Sequence, residues 1–152
     1  MPKLLLLHHP PKGNLVAEEL GEQFDDVVPV VVSEVDELRR HADVVLCDTE
    51  FDVVVFDINF PNEEFAGLRI FKELEKVRAG QWKHSILLTM YASSNPTEKE
   101  ILASTDHVVS DSDRAYKFAD ENNIDRDNVI GPFTTGYRSL IDRIRAIIDE
   151  AK

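Results

Sequence analysis

The residues most able to do chemistry stand at the ends of apolar runs. Asp57 closes Phe51-Asp52-Val53-Val54-Val55-Phe56-Asp57, His8 and His9 follow a four-leucine run, and Thr89 stands near the end of Ser85-Ile86-Leu87-Leu88-Thr89-Met90. An unbroken, β-branched run reads as a strand buried on both faces, the kind that occupies the middle of a parallel sheet covered by helices. A carboxylate directly after such a strand sits at the carboxyl edge of the sheet, where open α/β folds place ligands and chemistry. Imidazoles beside it suit zinc or copper. Adjacent residues on a strand point to opposite faces, so one histidine at most is expected to face Asp57, and a satisfied or solvent-facing role is expected for the pair, with no metal. Thr89 reads as a strand-end residue or a phosphate contact.

The elements that must position these groups follow from patterning. Lys3 to Leu7 is a first strand, ended by Pro10 and Pro11, which have no N–H for a ladder. Lys12-Gly13-Asn14 reads as a turn, with Asn14 capping a helix from Leu15 to Phe24. Val27 to Val32 is a second strand, and Pro29 within it favours an edge or a bulge. Ser33, followed by Asp36 and Glu37, reads as a helix start. Val35, Leu38, Ala42, Val45 and Leu46 share a helical face to about Asp48, the alternative being a strand over 43–47. After Asp57, Pro61 stops the strand, Gly67 precedes a helix carrying Leu68, Phe71, Leu74 and Val77, and Gly80 ends it.

Ser94-Asn95-Pro96-Thr97 opens a short helix over 98–103. His107-Val108-Val109 reads as a strand, Arg114 to Asn122 as a helix and Asn128-Val129-Ile130 as another strand, leaving room for one extra β-α unit. Thr134 or Thr135 caps a last helix with Leu140, Ile141, Ile144, Ile147, Ile148 and Ala151 as its core stripe. The alternation predicts one α/β domain over residues 1–152, a doubly wound parallel sheet of the flavodoxin-like kind.

Composition bounds the function. A chain of 152 residues can bury one core without disulfides, and its single cysteine, Cys47, fits a reducing compartment and a small buried hydrophobe. With 29 acidic against 17 basic residues the formal net charge is -12, which repels phosphate backbones and anionic membranes. The acidic runs over 106–113 and 120–127 read as solvated surface that a basic partner could contact. No apolar run has the length of a membrane span or signal peptide. A cytoplasmic protein that binds neither nucleic acid nor membrane is the expectation.

The chain resembles the receiver domain of two-component response regulators over nearly its whole length. That family ends its third strand in a phosphoryl-accepting Asp, with a Pro four residues later and then a Gly, matched by Asp57, Pro61 and Gly67. A Thr or Ser ends its fourth strand, matched by Thr89, and a Lys-Pro-Phe before the last helix is matched to Gly131-Pro132-Phe133. Asn59 stands where a backbone carbonyl helps hold magnesium. The departures fall on the chemistry. His8-His9 replaces the acidic pair that binds magnesium, a hard cation that wants oxygen ligands. Gly131 stands in place of the lysine, or a residue near Asp111 if 107–109 is the fifth strand, and Asn128 in place of the aromatic switch residue. Phosphoryl transfer depends on positioning and charge neutralisation, so these losses remove its main stabilising terms.

The resemblance therefore implies a stand-alone, atypical receiver-like signalling protein. It would act by contact with a histidine kinase, a phosphotransfer protein or an effector, around its fourth strand and last helix, without efficient magnesium-dependent phosphorylation and without a cofactor. The alternative is a phosphorylatable receiver that accepts a phosphoryl group at Asp57 and needs magnesium. Further back stand a haloacid-dehalogenase-like phosphatase, which requires an acid where Asn59 stands, and a small-molecule binding module. The latter lacks a Gly-rich phosphate loop, having only Pro10-Pro11-Lys12-Gly13 after the first strand.

Overall fold

Runs of leucine and valine set the sheet of the computed structural model, which describes residues 2–61, 63, 65–89, 106–130 and 137–150. The strands are β1 (Leu4–His8), β2 (Val27–Val31), β3 (Phe51–Asp57), β4 (Trp82–Leu88) and β5 (Val129–Ile130), all parallel in the order β2-β1-β3-β4-β5. The helices are α1 (Lys12–Gln23), α2 (Val35–Asp48), α3 (Ala66–Arg78), α4 (Asp106–Glu121) and α5 (Arg138–Glu150). This is the expected doubly wound α/β sheet, with the run that ends in Asp57 at its centre and Pro29 on the edge strand β2.

Strand alternation divides the core in two. Leu4, Leu6, Val53, Val55, Ile86 and Leu88 pack with Val16 and Leu20 of α1 and with Leu140, Ile141, Ile144 and Ile147 of α5. Leu5, Leu7, Val54, Phe56 and Leu87 pack on the other face with α2, α3 and α4. Each large aliphatic or aromatic side chain so buried contributes about 1.5–3 kcal/mol.

Several boundaries differ from the sequence reading. Helix α1 begins at Lys12 rather than after a turn. Gly13 N–H already bonds to the His9 carbonyl and Asn14 N–H to that of Pro11, so Asn14 lies inside the helix and caps nothing. Proline is tolerated at a helix start because its missing N–H would have had no partner there. Helix α2 is flanked by Glu34 rather than Ser33, without a side-chain cap, and Asp36 and Glu37 complement its N-terminal dipole. It continues as helix through 43–47, and its Cys47 is exposed rather than buried. Gly80, at φ +85, stops α3, whose Val77 faces solvent instead of joining the stripe. Strand β4 starts earlier, at Trp82.

The segment His107-Val108-Val109, read as a strand, is helical within α4, and the described residues hold no extra β-α unit. A three-residue apolar run cannot distinguish helix from strand by itself. What decides it lies further along: Ala115 and Ala119, four apart, are buried in the core, and Phe118 sets its ring 5.2 Å from Phe71 of α3. The helix expected over 98–103, Gly131-Pro132-Phe133 and the caps Thr134 and Thr135 lie outside the described residues.

Candidate functional site

The chain runs from β1 outward to β2 and returns on the other side of β1 to form β3. The sheet therefore changes direction between β1 and β3, and ligands in such folds bind outside the carboxyl ends at that point. His8 closes β1 and Asp57 closes β3. Leu4 pairs with Val53 and Leu7 with Phe56, so strand parity carries His8 and Asp57 to neighbouring positions on the face shared with α1.

The geometry is tight. His9 Nε2 lies 2.8 Å and His8 Nδ1 3.3 Å from the same oxygen, Asp57 Oδ2. The Asp57 side chain is 10% exposed. Both histidines thus reach the acid, contrary to the expectation that one would turn away. Alternation governs residues within a strand. Pro10 ends the ladder at His8, so His9 belongs to the connection into α1, where its ring returns over the strand ends and packs 5.1 Å from Phe60.

The surroundings act on the two imidazoles in opposite directions. The His9 pKa is raised, first by its hydrogen bond to Asp57 and also by the carbonyls of Pro10 and Asn59. Its Nδ1 faces the Pro10 carbonyl at 3.2 Å while Nε2 faces Asp57, so both ring nitrogens donate in the charged form. The His8 pKa is lowered, mainly by burial, with His9 and Lys12 opposing a second charge. The two rings are thus displaced in opposite directions, His9 toward the charged form and His8 toward the neutral one.

Two glycines let the helices press onto this cluster. A Cβ at Gly13 would stand 2.9 Å from His8 Cβ, and one at Gly67 would stand 1.9 Å from the Asp57 carbonyl oxygen. Gly67 N–H also donates to the Ile58 carbonyl, tying α3 to the end of β3. In the loop between them, Asn59 Oδ1 accepts from Phe65 N–H at 2.8 Å, and Phe65 adopts the left-handed conformation at φ 60. Arg69 holds Glu63 with two bonds of 2.6 and 2.8 Å.

Thr89 is buried one residue beyond Leu88, the register partner of Asp57, and its N–H donates to the Ile130 carbonyl. Gly131 follows β5 directly in sequence and lies outside the described residues. Asn128, where the resemblance expects an aromatic residue, is buried. It donates to the Ser85 carbonyl at 3.0 Å and accepts from Arg143 Nε of α5.

No protein-family model matches the chain, and no curated protein matches its sequence. Solved structures share its architecture. The receiver domain of the Francisella response regulator 1452 superposes over 100% of both chains with a TM-score of 0.53 at 18% identity. The chain has the receiver fold. A second receiver-type neighbour, the bacteriophytochrome response regulator RtBRR, covers 97% of this chain and 78% of its own at a TM-score of 0.52 and 16% identity. On this receiver fold, Asp57 ends the central strand, and two imidazoles stand where the family resemblance expects two carboxylates.

The sequence reading placed only one of His8 and His9 beside Asp57, and missed Gly13 as the seat of α1 and Asn128 as a tie between β4 and α5. Pro10 was the available signal for the first, since it marks where strand alternation ends.

Proposed function

We propose that this protein is a receiver-like signalling module that acts by protein contact, with Asp57 neutralised by His9 instead of poised for magnesium-dependent phosphorylation. The 2.8 Å contact between His9 Nε2 and Asp57 Oδ2 carries the reading. A phosphoacceptor carboxylate needs a divalent cation to gather the incoming oxygens and a residue to report their arrival. Here the acid's oxygen already bonds an imidazole, and the position of the reporting aromatic holds Asn128, bonded to both β4 and α5. A ligand shifts an equilibrium only by its differential contacts with the two states, and these contacts are already satisfied in one.

The partners that suit this reading are a histidine kinase, a phosphotransfer protein or an effector, met through side chains around β4 and α5, in the cytoplasm. The module would be no enzyme. The phosphatase reading loses support because Asn59 supplies an amide that already accepts from Phe65 N–H.

A second reading, phosphorylation at Asp57, draws on the placement of the acid at the sheet's switch point. Incubation with a small phosphodonor and magnesium, followed by intact-mass measurement, separates the two. An unchanged mass is expected. A stoichiometric phosphoryl adduct that disappears in Asp57→Asn would establish the second reading.

A further inference from the structure

We propose that His8, His9 and Asp57 form a binding site for a transition-metal ion of the zinc class. The site uses the same His9–Asp57 pair that carries the proposed function; its failure would leave that contact, and the proposed function, standing.

One donor atom from each of the three side chains lies within 4.8 Å of the other two. Donors of a tetrahedral zinc site stand about 3.3 Å apart, given metal–ligand bonds of roughly 2.0–2.1 Å. His8 Nδ1 and Asp57 Oδ2 are already separated by 3.3 Å. His9 Nε2 and Asp57 Oδ2, at 2.8 Å, are joined by a hydrogen bond through the His9 proton. Exchanging that proton for a metal requires this pair to open by about half an ångström.

The surroundings support ligation as well. A metal-bound histidine ordinarily donates its other ring N–H to a carbonyl or carboxylate, which fixes the tautomer and the ring plane. His9 has this arrangement: Nδ1 faces the Pro10 carbonyl at 3.2 Å, leaving Nε2 for the ion. His8 is more conflicted. Its Nδ1 has an N–H donor, that of His9, at 2.8 Å, and two acceptors, the His9 carbonyl at 3.0 Å and Asp57 Oδ2 at 3.3 Å. A single ring nitrogen cannot both accept from the first and donate to the others. A cation between Nδ1 and Oδ2 is attracted by both lone pairs, and binding it releases the His9 N–H contact.

The donor set chooses the metal. Two imidazoles and one carboxylate suit zinc, copper, cobalt or nickel, whereas magnesium prefers six oxygens and keeps its waters. Three protein donors leave a coordination position open, as sites that receive an exogenous ligand do and closed structural sites do not. Gly13 packs α1 against His8 and Gly67 packs α3 against the Asp57 backbone, so these two strand ends are held before any ion arrives.

Zinc titration against a chromophoric chelator tests the site. Wild type is expected to bind one ion with a Kd of about 1 μM or tighter. His9→Ala and Asp57→Ala are each expected to weaken it by roughly 10–100-fold, while His41→Ala and His84→Ala change nothing and millimolar magnesium does not compete. Because the inner variants could fail to fold, the wild-type protein carries a parallel readout. Zinc should shift the imidazole nitrogen resonances of His8 and His9 and leave those of His41 and His84 in place. A wild-type Kd weaker than about 100 μM, binding that survives His9→Ala in a folded protein, or shifts confined to His41 or His84 would each overturn the proposal.

Discussion

Gly67 and Asp57 meet more closely than any side chain at position 67 allows: a Cβ there would lie 1.9 Å from the Asp57 carbonyl oxygen and 2.6 Å from Ile58 Cα. Both obstacles are backbone, which cannot rotate away. Gly67→Ala must therefore push α3 off the end of β3 and break the Gly67 N–H bond to Ile58. We expect a loss of about 3 kcal/mol or more, the upper range for overpacking, measured by urea unfolding. Gly21→Ala, which meets nothing within 4 Å, is the control and should be neutral or stabilising.

Stability should follow the two histidines in opposite directions as pH changes. The His9 pKa is raised above its ordinary 6.5, so its contribution is complete below 6.5 and is lost as pH rises through the folded value. The His8 pKa is lowered from 6.5, so the unfolded chain binds the extra proton between that lowered value and 6.5, and stability climbs with pH there. Unfolding free energy measured across this range should rise toward 6.5 and then fall. His9→Gln should abolish the fall and keep the rise. A fall that persists in the variant would refute the assignment.

Asn128 spans two elements, and its removal leaves partners inside. Asn128→Ala strands the Ser85 carbonyl and Arg143 Nε, at a cost of about 1–3 kcal/mol. Thermal or urea unfolding measures it. Replacement by Phe should be no milder, since an aromatic ring supplies neither bond.

Magnesium should bind weakly, with a Kd in the millimolar range or beyond, because its site would contain two imidazoles in place of carboxylate oxygens. Calorimetric titration checks this. Site-specific binding at about 10 μM, roughly 3 kcal/mol tighter, would contradict it.

Partner binding is expected to be indifferent to phosphodonor. Asp57→Asn should leave affinity within about threefold, or roughly 0.7 kcal/mol. A tenfold response to donor in wild type that is absent in Asp57→Asn would overturn this reading and require His8, His9 or another side chain to replace the missing groups.

Much of this molecule was legible in its sequence because its strands are dense apolar runs and its helices carry clear stripes. The central position of the run ending at Asp57, the edge position of Pro29, the helix over 35–48 and the nearness of one of His8 and His9 to Asp57 all follow from burial and parity. What escaped depends on contacts between distant residues. The helical state of 107–109 is decided by Ala115, Phe118 and Ala119 against Phe71. The inward turn of His9 is decided by the path of the chain after β1, where periodicity no longer applies. Asn128 looked like a missing aromatic residue, and only the packing of α5 reveals Arg143 and Ser85 as its partners.

The edges of the sheet limit how another protein can attach. Val32 N–H bonds to the His8 carbonyl and Leu4 N–H to that of Asp26, so the even-numbered residues of β2 face β1 and the odd-numbered ones face outward. Pro29 therefore falls on the outward row and interrupts it with a position that has no N–H. At the other side β5 has two residues among those described. Among the described residues neither edge offers the continuous ladder that an incoming strand would extend, which favours a partner that binds through shape and side-chain chemistry over one that lengthens the sheet.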